Sequence, residues 1–176
     1  FLPSPLDMPS VEGHDSEGNP VSRQATTDAP FAALAFKTVH DPNGDLTFCR
    51  VYSGKAQQGD QVVNPSVGKN KKERLGRIYR MHAASREPLE FCEAGDIVAI
   101  MGIDAASGDT YASEPAFCTL ESIFVPQPVI KMAIEPLDRE AGDRLGKALQ
   151  RFRKEDPTFR VATDEETGET VIAGMG

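Results

Sequence analysis

The sequence predicts a mainly β chain in which a small closed barrel is followed by a short α+β unit. Three observations predict it. Short alternating apolar runs separated by glycine-bearing turns fill residues 31–120, Pro126-Gln127-Pro128 interrupts that pattern, and one amphipathic helical period follows at 139–154. At 176 residues, with 39% hydrophobic and 26% charged side chains and no long apolar run, the chain has room for two small folded units. The same mix argues against disorder and against a membrane span.

Residues 1–29 are rich in Pro, Gly, Ser, Asp and Thr, and few large apolar side chains follow Met8, so they are expected to form a linker. The stretch from Gly13 to Asn19 lacks the alternating acidic ligands and distal Glu of a calcium loop, and reads as a solvated turn. The barrel is expected to begin at Phe31–Val39. An Asp41-Pro42-Asn43-Gly44 turn leads into the alternating strand Leu46–Tyr52, with Leu46, Phe48, Arg50 and Tyr52 opposite Thr47, Cys49 and Val51. Further strands are predicted near Gln61–Asn64, Glu73–Met81, Asp96–Met101 and Ala116–Leu120. Gly54, Gly59, Gly68, Gly95 and the Ser107-Gly108-Asp109 turn lie in the connections.

The two prolines at 126 and 128 stiffen the step between units and cannot donate backbone hydrogen bonds. Val129–Ile134 then reads as a strand, and Asp138 as the N-cap of a helix over Arg139–Lys154. Leu145, Ala148, Leu149 and Phe152 form its apolar seam, and Asp156-Pro157 ends it. Phe159–Thr163 and Thr170–Ala173 make a hairpin around Thr167-Gly168. The order β-α-β-β is that of an opening half of a split β-α-β arrangement. The chain starts at Phe1 without an initiator Met or a signal sequence, and reads as a piece of something longer.

Few residues invite chemistry. There is no G-x-x-x-x-G-K-[ST] phosphate loop, no G-x-S-x-G and no H-E-x-x-H. His14, His40 and His82 have no ligand spacing, and Cys49, Cys92 and Cys118 form no C-x-x-C pair. No catalytic residue and no metal site are expected. Buried, reduced thiols fit a cytosolic compartment. A Cys92/His82 dyad with Glu93 as orienter would make a thiol enzyme, but such dyads are assembled by the fold and not by proximity in sequence. The Asp164-Glu165-Glu166 run reads as a solvated hairpin tip. One charge feature stands apart. Lys69, Lys71, Lys72, Arg74, Arg77 and Arg80 face only Glu73, a local charge of +5 inside a chain of net charge −8 and pI about 4.9. Such a concentration grips phosphates, or it solvates a sheet edge against aggregation.

Several segments together resemble elongation factor G. Phe31-Ala-Ala-Leu-Ala-Phe-Lys37, Leu46-Thr-Phe-Cys-Arg-Val-Tyr-Ser-Gly54, Met81-His-Ala-Ala-Ser-Arg-Glu87, Gly95-Asp-Ile-Val-Ala99 and Ser107-Gly-Asp-Thr110 are similar to its second domain. Pro128-Val-Ile130, Glu155-Asp-Pro-Thr-Phe-Arg-Val161 and Glu166–Gly176 are similar to the start of its third, and Phe1–Asp7 to the exit from its GTPase domain. The resemblance implies a linker at 1–29, a translation-factor-type β-barrel at 30–125, and the first half of a ferredoxin-like domain at 126–176. It implies a cytoplasmic parent GTPase that uses GTP and Mg²⁺ to drive tRNA and mRNA translocation, with this piece itself holding no cofactor and hydrolysing no GTP. The implied partners are the ribosome, through small-subunit rRNA and ribosomal protein, and the parent's own GTPase domain, but no membrane. Under this resemblance Lys69, Lys71, Lys72, Arg74, Arg77, Arg80, His82 and Arg86 are candidate RNA contacts. Ala84, the short Pro42–Asp45 turn and Gly102–Ser107 depart from the family pattern, which leaves a translocase and a specialised recycling paralogue both open.

Overall fold

The computed structural model describes residues 3–4, 7–41, 44–66, 72–83, 85–114, 116–120 and 125–175. It divides into two compact units, Phe1–Ile123 and Phe124–Gly176.

The first unit is built on a curled antiparallel sheet. Its members are β3 (Ala32–Val39), β4 (Leu46–Ser53), β6 (Gln61–Val63), β7 (Lys72–Arg74), β8 (Ile78–His82), β9 (Ser85–Leu89), β11 (Ile97–Met101) and β12 (Thr110–Ser113). They lie in the order β7-β6-β12-β3-β4-β11-β8-β9. The short strands β5 (Lys55–Gln57) and β10 (Phe91–Glu93) pair beside it. Register shifts at Ala32/Ala33 and Ala35/Lys37 bend β3 where it meets β4, the device by which a sheet curls toward closure. The alternation foreseen for β4 is present, with Thr47, Cys49 and Val51 turned inward. Val51, Leu75, Ile78 and Ile100 are each no more than 1% exposed and anchor the core, each worth about 1.5–3 kcal/mol of burial.

The structure corrects the reading of residues 1–29 as linker. They contain a hairpin, β1 (Val11–His14) and β2 (Pro20–Arg23), that pairs with β13 (Thr119–Leu120). Val11 and Val21 pack against Leu34, Tyr52, Cys118 and Leu120, which gives the barrel wall a second small core on its outside. Asp15 closes the turn. Its Oδ1 accepts the Glu17 and Asn19 amides at 2.8 and 2.9 Å, and hydrogen bonds from Asn19 and Glu17 draw its carboxyl below the usual range. The calcium-like stretch is therefore a pinned turn.

Two more differences matter below. The strand foreseen over Glu73–Met81 breaks into β7 and β8 at Leu75-Gly76-Arg77, and the His82–Arg86 loop is the tight end of the β8–β9 hairpin. Gly76 in this break lies close against the next strand, where a Cβ would fall 1.8 Å from the Met101 carbonyl oxygen, so only glycine fits.

The second unit has the β-α-β-β order read from the sequence, in β14 (Ile130–Ile134), α1 (Arg139–Glu155), β15 (Arg160–Thr163) and β16 (Thr170–Gly174). β16 lies between β14 and β15. Asp138 caps α1 by accepting the Ala141 amide at 2.6 Å, a bond worth about 1 kcal/mol. No residue of α1 is fully buried. Phe152 meets Phe159 edge-on at 5.9 Å, while Ile130, Met132, Leu137 and Met175 stay exposed. Among the described residues no helix is long and apolar enough to cross a membrane.

Candidate nucleic-acid interface

The basic run forms three surfaces and not one strip. Lys72 and Arg74 project from β7, at one end of the sheet order, with Glu73 turned the other way and half-buried. Lys72 is held by Glu114 at 2.7 Å. Lys69 and Lys71 lie outside the described residues.

The next basic residues follow the bend. Leu75 is buried, its amide donates to the Asp60 carbonyl and its own carbonyl accepts from Gly59, so the segment is tied to the β5–β6 turn. Arg77 leaves this segment exposed, and its carbonyl accepts the Met101 amide at 2.9 Å, extending the β8–β11 ladder.

On the β8–β9 hairpin, Arg80 stands opposite Glu87, His82 opposite Ser85, and Met81 opposite Arg86. Successive strand residues point to opposite faces, so Arg80 and His82 share one face while Arg86 shares the other with Tyr79 and Met81. Arg77, Tyr79 and Arg86 then line one polar cleft together with Gln58, Gly76 and Met101. Sequence spacing alone did not bring Arg77 and Arg86 together, and Tyr79 stands beside them as the aromatic of the site.

The cations differ in what already holds them. Arg86 pairs with Asp41, a residue only 17% exposed, which bolts the hairpin to the β3–β4 connection. His82 Nε2 lies 3.6 Å from Glu87. Arg74, Arg77 and Arg80 have no ion pair among the described residues and are exposed. Ala83, at the turn of the hairpin, has φ of 53°, a left-handed conformation that costs a non-glycine residue about 1 kcal/mol or more.

Other candidates resolve into structure. Cys49, Cys92 and Cys118 are all buried. Burial, with the charge of Asp96 adding to it, pushes the Cys92 thiol up to about 12, and burial raises Cys49 and Cys118 as well. A thiol so placed is protonated at neutral pH, and His82 sits on an exposed hairpin, so the thiol-enzyme reading has no nucleophile. Asp164 Oδ1 accepts the Glu166 and Thr167 amides at 3.0 and 2.9 Å, which makes the acidic run a hairpin tip. Among the described residues no cluster of His, Cys, Asp and Glu could hold a metal ion.

Both units have counterparts among known proteins. Residues 125–176 match the family described as Elongation Factor G, domain III, and residues 44–112 match Elongation factor Tu domain 2. An elongation factor G from Rhodopirellula baltica is 52% identical over 178 aligned positions, which take in all of this chain and 25% of that protein. The chain belongs to the elongation factor G family. It spans about a quarter of the length of this elongation factor G. A crystal structure of a protein from Thermus thermophilus superposes with a TM-score of 0.71 at 27% identity, over 85% of this chain and 23% of that one. The β-barrel followed by a ferredoxin-like β-α-β-β unit is thus the fold of this part of an elongation factor G.

Proposed function

We propose that this chain is the ribosome-docking part of an elongation factor G, and that its barrel grips small-subunit rRNA through the phosphate backbone. In this reading residues 30–125 act as the docking domain, 126–176 as the opening half of the third domain, and 1–29 lead from the GTPase domain. The parent is a cytoplasmic GTPase, using GTP and Mg²⁺, that moves tRNA and mRNA through the ribosome. Docking of the barrel passes conformational change between the ribosome and the domains on either side.

One observation carries the reading. Arg74, Arg77 and Arg80 are exposed and free of ion pairs among the described residues, yet their backbones rest on the buried Leu75 and Ile78. Charges kept unpaired on a rigid base suit phosphate contact, whereas a solvating edge would be satisfied by mobile, paired lysines. Tyr79 beside Arg77 and Arg86 adds a face on which an unpaired base can stack.

The test is binding of the labelled chain to small ribosomal subunits from 50 to 200 mM salt. Each phosphate contact contributes about 0.9 to the slope of log affinity against log salt. The Arg74→Ala, Arg77→Ala, Arg80→Ala triple variant should lower that slope by about 2–3 and weaken binding, while Lys72→Ala should change it far less. An unchanged slope in the triple variant would reduce these residues to a solvated edge.

A further inference from the structure

On the outside of the barrel, where the β1–β2 hairpin lies against β4, the structure holds a second cleft that shares no residue with the Arg77–Arg86 surface. Its volume is about 360 Å³, within the range of about 300–1,000 Å³ typical of small-molecule sites. Met8, Pro9, Val11, Ala25 and Tyr52 give it apolar lining, and Arg23, Arg50 and Glu12 also border it.

The two guanidiniums are differently committed. Arg50 and Tyr52 occupy the same face of β4, and the Arg50 guanidinium lies over the Tyr52 ring, 5.1 Å from its centre. Arg50 has no hydrogen bond or ion pair among the described residues, so its N–H groups are available to a ligand. Arg23 donates from Nη2 to the Ala116 carbonyl at 3.2 Å, which fixes its plane beneath the hairpin, and its buried Nε has no partner among the described residues. The cleft therefore combines an apolar wall with a net positive charge of one in a chain that is acidic as a whole.

We propose that this cleft is a binding site for a small amphipathic anion, an aryl or short alkyl carboxylate. The hydrocarbon part fills the space beside Met8, Val11 and Tyr52, and the carboxylate pairs with the N–H groups of Arg50. Glu12 on the border disfavours ligands of higher negative charge, which separates this site from the phosphate-gripping hairpin.

The experiment follows backbone amide shifts of the 176-residue chain during titration with 2-naphthoate and with its neutral methyl ester. Expected are saturable shifts at residues 8–12, 23–25 and 50–52, binding of the ester at least about tenfold weaker, and about tenfold loss of naphthoate affinity in Arg50→Gln. Met8→Ser, on the exposed rim, should weaken both ligands while leaving the rest of the spectrum unchanged, which covers the case in which Arg50→Gln perturbs the sheet. No saturation up to the solubility limit would overturn the proposal. So would shifts confined to residues 130–175, equal affinity for acid and ester, or an affinity unmoved by Arg50→Gln in a folded variant.

Discussion

Gly76→Ala tests the bend that separates the basic surfaces. The new Cβ would meet the Met101 carbonyl oxygen at 1.8 Å, whereas carbon–oxygen contacts settle at about 3.3–3.6 Å, so the two backbones must part by about 1.5 Å. Parting them breaks the hydrogen bond from the Met101 amide to the Arg77 carbonyl, now 2.9 Å long, at a net cost of about 1 kcal/mol. It also lifts Leu75, 1% exposed, from the core, which forfeits part of the roughly 1.5–3 kcal/mol of its burial. The total comes to about 2–4 kcal/mol, or a fall of roughly 8–15 °C in the unfolding midpoint of the barrel. Gly59→Ala is the control. Its φ is +93° but nothing lies within 4 Å, so only backbone strain of about 1–2 kcal/mol opposes it. Urea unfolding followed by tyrosine fluorescence and far-ultraviolet dichroism would measure both. A Gly76→Ala cost below about 1 kcal/mol, or below that of Gly59→Ala, would refute the steric account of Gly76.

Native Cys49, Cys92 and Cys118 should resist iodoacetamide at pH 8 and react once the chain is unfolded, as mass spectrometry would show; rapid native labelling of Cys92 would contradict its raised pKa. Asp164 is held below its ordinary value by the Thr167 and Glu166 amides, so its contribution to the hairpin is fully present above about pH 4 and is lost as pH falls through the lower folded value. A carboxyl titration by NMR should therefore find Asp164 ionising below a free aspartate, and a normal midpoint would remove the bond. Ala83→Gly should stabilise the β8–β9 hairpin by about 1 kcal/mol, because glycine adopts the left-handed conformation freely, and no gain in urea midpoint would count against the strain. Amides of residues 130–174 should exchange faster than those of β3, β4 and β11, since α1 buries no residue fully; equal protection would show that the second unit is held by contacts beyond its own core.

Local patterns were enough for what depends on neighbours in sequence. The helix over 139–155, its Asp138 cap and the β4 alternation follow from periodicity and capping chemistry that sit within a few residues. The β1–β2 hairpin escaped because only Val11 and Val21 mark it, and their partners Leu34, Tyr52, Cys118 and Leu120 come from distant parts of the chain. The candidate site was half legible for the same reason. The charge density from Lys69 to Arg80 is plain in the sequence, but the division of those cations follows the break between β7 and β8 at residues 75–77, where Gly76 lies against Met101. Nor does the sequence show that Asp41 occupies Arg86 and Glu114 occupies Lys72, and so which cations are left for a ligand.

The anchors of the basic elements also bear on when they form. Arg86 reaches Asp41 across 45 residues, Lys72 reaches Glu114 across 42, and the Glu73 carboxylate accepts the Asp104 amide across 31. β7 and β9 are the two ends of the sheet order, and although β9 pairs locally with β8, the ties of Lys72, Glu73 and Arg86 all reach partners distant in sequence. Loops of this length are closed late and slowly, because their entropy is lost before any contact repays it. A chain leaving the ribosome cannot place Lys72 until Glu114 has been made, nor seat Glu73 before Asp104. These ties therefore close only after the strands that carry Glu114 and Asp104 have joined the fold.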